Sequence, residues 1–279
     1  MTSPLSPSEQ RTRDLETLLV WEGAIDNARI REVFGLQLVQ ASRLVSSFVA
    51  EHSGQLLRAS PHAPVKPAPG FIPKYSRGLP DDYLHLVESV RPAELASFVV
   101  DAGIDLSPVK PEIFAVVVQA CRASLGVNIV YCSMTQPQGE PQLIFPHSLV
   151  RAARRWHIRA WCAARQGYGD YALGRVLAAV MTELPAPALA LDDQAWNDIC
   201  HLVIEPHPEL TAEQAVISQV EYLGGQARGV VPVRRALVSY VIRDLRLAVD
   251  PEVEKPPDYL LMLVNASEFT GSVAVNTRL

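Results

Sequence analysis

PHSLVRAARRWHIRAWCAARQGYGDYALGRV, Pro146 to Val176, is the stretch that decides how this chain is read. A strand sends successive side chains to opposite faces, so its sequence splits into two lists. Trp156, Ile158, Ala160 and Cys162 form an apolar list; Arg155, His157, Arg159 and Trp161 form a largely cationic one. This alternation predicts a half-buried strand with one charged side. The same parity on VNIVYCSM, Val127 to Met134, sets Val127, Ile129, Tyr131 and Ser133 against Asn128, Val130, Cys132 and Met134. Two readings fit the arginines and histidines. One is a solvated outer face, the commonest use of surface charge. The other is a pocket for an anion, since guanidinium forks grip phosphate through paired hydrogen bonds that hydroxyls and imidazoles complete.

The flanking sequence narrows the class. A chain of 279 residues holds two domains, or three small ones, with real cores. Its 48% apolar and 20% charged residues are those of an ordinary soluble globular protein. The opening MTSPLSPSEQRTRD has no apolar signal core and no later run reaches bilayer-spanning length, so a cytoplasmic protein without a membrane partner is expected. Cys121, Cys132, Cys162 and Cys200 are scattered without a CxxC pair, which predicts buried free thiols, with no metal site, disulfide framework or cofactor. His201 and His207 flank LVIEP and read as surface or turn residues.

The net charge of −5 argues against a chain coated with nucleic acid, but it hides an asymmetry. Residues 1–78 carry nine Lys/Arg against seven Asp/Glu, so the acidity lies beyond them and the first segment is the one suited to a polyanion. Pro61 to Pro80 contains six prolines and reads as a wing or linker, and ELPAPALALDD, Glu183 to Asp193, marks a second boundary. No internal repeat is visible.

Before the first boundary the pattern is helical. Ser8 is the expected first N-cap, with Leu15, Leu18 and Leu19 on one side. Asp26 or Asn27 caps a second helix with Ile30, Val33 and Phe34 inward, and Gly35 ends it. A third helix turns Ala41, Leu44, Val45, Phe48 and Val49 inward, which gives a helix-turn-helix; a three-helix packing module is the alternative. On duplex DNA the third helix would enter the major groove and present Gln37, Gln40, Ser42 and Arg43, while Arg29 and Arg31 meet phosphates. GQLLRAS, Gly54 to Ser60, reads as a short strand that forms a wing with the proline-rich return, with Lys66 near its tip.

These pieces together resemble the WYL-domain transcriptional regulators, in particular the repressors associated with bacterial anti-phage defence. The similarity rests on PHSLV, on RRWHIRAW with Trp156, His157 and Ile158 at the name-giving triplet, on YGDYALGRV, on the upstream IVYCS, and on FGLQLVQAS in the first segment. The resemblance implies an α+β protein: an N-terminal winged helix-turn-helix, a central SH3- or Sm-like β-barrel, and a small C-terminal α/β dimerisation domain. The corresponding divisions are residues 1–80, a helical connector at 81–123, the barrel at 124–185 and the C-terminal domain at 190–279. It further implies a basic cleft for a nucleic-acid or nucleotide ligand, formed by Tyr131, Ser133, His147, His157, Arg159 and Arg165. One position departs from the family pattern: Gly169 stands where an arginine precedes Asp170. Losing a guanidinium from a phosphate site costs on the order of 1 to 3 kcal/mol, so Arg154, Arg155 or Arg165 compensates or the ligand differs. Arg175, which matches the arginine ending the pattern, reads as structural.

Beyond Trp196, NDICHLVIEPH reads as a strand, Thr211 and Gln214 as a capping box, and GGQARGVV as a turn into a strand. RRALVSYVIRDLRL reads as a final helix with Leu237, Tyr240, Val241 and Leu245 in one stripe, and Gly271 to Leu279 as a loose tail. The expected function is a homodimeric repressor bound to operator DNA and relieved by its effector. Two alternatives remain at this point. One is an accessory module for single-stranded nucleic acid. The other is a phosphodiester-processing enzyme, against which stands the absence of a P-loop, a G-x-S-x-G, an HExxH or paired carboxylates beside the histidines.

Overall fold

The computed structural model describes residues 5–90, 92–95, 99, 107–152 and 155–269. Two compact units divide the chain, Met1–Ala102 and Gly103–Leu279. Arg154 and the expected tail at 271–279 lie outside the described residues. Among the described residues no single helix is long and apolar enough to cross a membrane.

The first unit opens with α1 (Pro7–Glu22), capped by Ser6 rather than Ser8. Pro7 fits the first helical position because its missing N–H is unneeded there, and Ser6 and Glu9 close a reciprocal capping box two residues earlier than expected. Asp26 caps α2 (Asn27–Phe34), and Gly35, at φ 62°, ends it in the left-handed conformation that glycine adopts without penalty. α3 (Leu38–Glu51) follows at 110° to α2, within the range of a helix-turn-helix. Leu15, Leu18, Leu19, Ile30, Val33, Ala41, Val45 and Phe48 make one core, so the inward faces follow the 3.6-residue pattern.

A two-stranded wing comes next, β1 (Leu56–Leu57) against β2 (Lys66–Pro67). Lys66 is in the ladder opposite Leu57, not at the tip; the intervening loop is closed by Arg58, which donates to the carbonyls of Pro61 and Ala63. What fixes the proline-rich return is a fully buried carboxylate. Glu16 accepts from the backbone N–H groups of Lys74 at 2.7 Å and of Tyr75 and Ser76 at 2.8 Å each, and lies 2.8 Å from His52 Nε2. A buried carboxylate persists only with such partners. α4 (Pro80–Glu88) packs on α1 and adds Val87 to the core, and α5 (Pro92–Leu95) follows.

In the second unit, α6 (Pro111–Ala123) leads into an antiparallel sheet of β3 (Leu125–Tyr131), β4 (Glu140–Ala152), β5 (Arg155–Cys162), β6 (Gly167–Ala172) and β7 (Val176–Pro185). The strand order is β6-β5-β4-β3-β7. Val127, Ile129, Tyr131, Ile158, Ala160 and Cys162 bury one face, with Ile113, Val117 and Ala120 of α6 in the same core. The parity lists are thus correct for both strands. The described ladders leave β6 and β7 as edges, so the sheet is open where a closed SH3- or Sm-like barrel was expected.

After α7 (Gln194–Asn197) a second sheet runs in the order β10-β11-β8-β9, from β8 (Ile199–Pro206), β9 (Gly229–Arg234), β10 (Leu247–Ala248) and β11 (Leu261–Leu263). α8 (Ala212–Tyr222) starts at the expected Thr211–Gln214 capping box. The final helix differs from its expected stripe. Arg235–Leu237 forms a 3-10 turn, which resets the phase of α9 (Val238–Asp244), so Val238 and Ile242 are buried and Leu245 is exposed. His207 is buried, with Nε2 3.0 Å from the Glu254 carbonyl, rather than at the surface. No disulfide joins the cysteines; Cys162 and Cys200 are buried and Cys121 and Cys132 half-buried.

Candidate functional site

The charged face of the WHIRAW strand is where the sequence reading placed a ligand. β4 bulges there: Pro146 pairs with Ala160 and Ser148 with Arg159, leaving His147 as the extra residue. A bulge re-aims side chains. His147 Nδ1 lies 3.0 Å from Ser148 Oγ and Nε2 3.3 Å from Asp193 Oδ2. Arg159, opposite Asp170 on β6, donates from Nη1 to Asp170 Oδ1 at 3.1 Å. Its Nε and Nη2 donate to Asp193 Oδ2 and Oδ1 at 2.7 and 3.1 Å. Asp193 also caps α7, where its Oδ1 accepts from the Trp196 N–H at 3.2 Å. From α9, the Tyr240 hydroxyl donates to Asp170 Oδ2 at 3.0 Å and lies 3.3 Å from His157 Nδ1. An aromatic group adjoins the cluster: Trp161 meets Tyr168 edge-on at 5.0 Å, and His147 meets Tyr168 and Trp196 at 5.6 and 5.4 Å.

Burial governs the two histidines. It pulls both His147 and His157 below the ordinary imidazole range, and the Asp193 carboxylate beside His147 does not reverse this. Burial would raise Asp193, but the hydrogen bonds and charge of Arg159 hold its carboxyl below the usual range. Burial and the neighbouring Asp170 push the Tyr240 hydroxyl up, so it stays a donor. The face is therefore not the open cationic surface that alternation alone predicts. His157 and Arg159 are 9% and 8% exposed, because segments from beyond the second proline boundary lie over them. Within hydrogen-bonding reach, one guanidinium meets two carboxylates.

Of the expected cleft residues, His147, His157 and Arg159 are linked through Asp170, Asp193 and Tyr240. Tyr131 is elsewhere. It packs edge-on against Tyr171 at 5.1 Å and its hydroxyl accepts from the Ala172 N–H at 3.2 Å. Ile158 pairs with Tyr171 and Arg159 with Asp170, so Tyr131 and Tyr171 share the core face, away from Arg159. Arg165 joins this second group, donating to the Tyr171 hydroxyl at 2.8 Å. Its guanidinium lies over Gly169, where an added Cβ would come within 2.8 Å of Nη2. Arg165 thus takes space that a side chain at 169 would need. Ser133 lies past the end of β3 and is bonded within its own turn, accepting from the Gln136 N–H at 2.9 Å. Arg155 is exposed and Arg175 half-buried.

Sequence reasoning missed Asp193, Trp196 and Tyr240. The only local signal for the first two was an N-cap aspartate ahead of QAWN, and Tyr240 gave none beyond its place in an amphipathic helix. Asp170 was visible only as a letter of the pattern.

At the other candidate site, Gln37, Gln40, Ser42 and Arg43 are all exposed on the first turns of α3. The Gln40 side-chain carbonyl accepts from the Gln37 N–H at 3.0 Å, so only its amide donors remain uncommitted in this arrangement. Arg31 and Lys66 are exposed. Arg29 is instead clamped inside the unit, its Nη2 2.6 Å from Glu22 Oε1 and its Nη1 3.0 Å from Glu32 Oε2, so a phosphate contact would have to displace these carboxylates. Leu38 and Val39 were not expected here; they are 58% and 60% exposed in the first turn of the helix, Val39 out of phase with the buried Ala41 and Val45 and Leu38 at the end of their stripe.

Three family models match the chain in sequence order. The winged helix-turn-helix domain of the BrxR transcriptional regulator matches residues 8–89, the WYL domain residues 112–181, and the C-terminal dimerization domain of BrxR residues 199–269. Among curated proteins, the DNA-binding transcriptional repressor CapW of Pseudomonas aeruginosa is 28% identical over 271 residues, covering 93% of this chain and 90% of that protein. CapW of Escherichia coli (strain KTE188) is 27% identical over 269 residues with the same coverage. CapW of Stenotrophomonas maltophilia is 26% identical over 270 residues. The three domains matched in order and the repressors similar along nearly the whole chain lead to one assignment: the chain belongs to the BrxR- and CapW-like WYL-domain transcriptional regulators.

Proposed function

We propose that this chain is a homodimeric, cytoplasmic, DNA-binding transcriptional repressor that controls an anti-phage defence operon and is relieved when a nucleic-acid or nucleotide effector binds its WYL domain. The division of labour follows the four segments at 1–80, 81–123, 124–185 and 190–279: reading, connection, sensing and dimerisation. The observation that carries this reading is the first turn of α3. Gln37, Gln40, Ser42 and Arg43 face solvent there while Ala41, Val45 and Phe48 hold the opposite side in the core, which is the arrangement a major-groove reader needs. The relatives named as DNA-binding repressors support the same reading over nearly the full chain.

No covalent chemistry is assigned to the protein; an effector acts by binding one conformation better than another. A mobility-shift titration with the DNA upstream of its own gene, at moderate salt, tests the proposal. The expected result is a dimer-sized complex that is lost in a Gln40→Ala, Arg43→Ala variant and weakened by short oligonucleotides. Retention of duplex binding by that variant would reject α3 as the reader, and a preference for single strands over the duplex would reject the repressor reading itself.

A further inference from the structure

Resting on the proposed sensing role of the WYL domain, we propose that Arg159 is the seat for the effector's anionic group and that Asp193 occupies this seat in the free protein, so that effector binding and release of α7 are one event. An arginine offers five N–H donors arranged as a fork, and a phosphate or carboxylate is recognised through two of them at once. Asp193 holds the Nε and Nη2 edge of Arg159 in that bidentate manner, and Asp170 holds Nη1. No paired edge is left for an external anion. The seat is otherwise equipped for one: His147 and Ser148 stand beside it, and the rings of Trp161 and Tyr168 adjoin it for a base or another flat group. Arg155, Arg175 and Arg243 place positive charge near His157, alongside the Asp170 carboxylate.

Asp193 does not leave alone. It is the N-cap of α7, and its departure removes the side-chain acceptor of the Trp196 N–H, which otherwise has the Asp193 carbonyl at 3.1 Å. Trp196 meets His147 edge-on, while the Arg234 guanidinium of β9 sits 4.7 Å from the Trp196 ring and donates to the Trp196 carbonyl at 2.5 Å. α7 also packs against the Arg235–Leu237 turn that precedes α9, the helix carrying Tyr240. Exchange of one carboxylate for another anion therefore alters the contacts by which the sensing sheet meets the C-terminal sheet. That is a differential contact between two states, which coupling requires.

The test uses the full chain and a 5′-phosphorylated dithymidylate as the probe. Asp193→Asn removes the charge of the resident occupant but keeps its shape. It is expected to bind the probe about tenfold more tightly than wild type or better, in the usual range of a coupling, and Arg159→Gln in the same background is expected to abolish the gain. In wild type, probe binding is expected to raise amide hydrogen exchange across 190–198, a readout that holds even if the variants fold poorly. Equal probe affinity of wild type and Asp193→Asn, no probe binding by either, or unchanged exchange across 190–198 would each overturn the proposal. A wild type that shifts its upstream DNA while failing these tests keeps the repressor reading and loses only the Asp193 exchange; a wild type that does not shift that DNA loses the repressor reading independently.

Discussion

Arg159 is held by its pairing with Asp193 and Asp170, the two histidines near it are governed by burial, and the consequences are measurable. Truncating Arg159 to alanine leaves Asp193, 1% exposed, without its main counter-charge. Breaking one side of a buried pair costs about 3–5 kcal/mol, so Arg159→Ala is expected to lower stability by that order in urea unfolding. Gly169→Ala is the contrasting case. The atom its Cβ would meet is the end of the flexible Arg165 side chain, and the backbone there is not left-handed, so a change within about 0.5 kcal/mol is expected in the same assay. The histidines add a pH dependence whose sign follows from linkage. Both are lowered from 6.5 by burial, so below about pH 6.5 the unfolded chain takes up protons that the folded chain refuses. Stability is then flat above that pH and falls as the medium becomes more acid toward the folded values. Unfolding midpoints from pH 8 to 5.5 should show this, and a His147→Gln, His157→Gln variant should lose part of the slope; an unchanged slope would assign it to other groups.

At the scale of elements, α3 presents two kinds of side chain to whatever it meets. Arg43 and the amide donors of Gln40 are polar; Leu38 and Val39 are aliphatic and exposed. In a major groove, aliphatic side chains match the thymine methyl group. Each methyl buried is worth about 0.8 kcal/mol, roughly fourfold in affinity. Replacing single thymines of the operator by uracil should therefore weaken wild-type binding about that much at one or two positions per half-site, and a Leu38→Ser, Val39→Ser variant should be indifferent to the change. Elements whose signals are local were legible in sequence: Asp26 and Gly35 bracket α2, and Thr211 with Gln214 opens α8. Those that depend on distant partners were not. The two- and three-residue strands β10 and β11 carry too few residues for a period, and the 3-10 turn before α9 shifts its buried stripe. The alternation of WHIRAW identified which side of the strand is polar but not that it is covered, because the covering groups, Asp193 and Tyr240, are 34 and 83 residues away from Arg159 and His157.

For the whole molecule, the matched dimerization domain leaves one face of α8 unexplained by its own core. Val216, Ile217 and Val220 are 56%, 64% and 66% exposed, three large aliphatics on an 11-residue helix whose only buried residue is Ser218. A run of this kind on a soluble domain marks a contact surface, and the dimer of the proposed function supplies the partner. Val216→Asp with Val220→Asp introduces charge where a dimer contact would exclude water, yet it disturbs no buried side chain of the monomer. Sedimentation equilibrium should then report a monomer with a nearly unchanged melting temperature. Operator affinity should fall on the order of a hundredfold, because the second half-site no longer benefits from the effective concentration that the first provides. The dependence of binding on salt should also become shallower, by about half, since one winged helix displaces counterions from the phosphates where two did before. A variant that stays dimeric would move the contact away from α8; one that becomes monomeric and binds the operator with wild-type affinity and salt dependence would show that a single winged helix suffices for recognition.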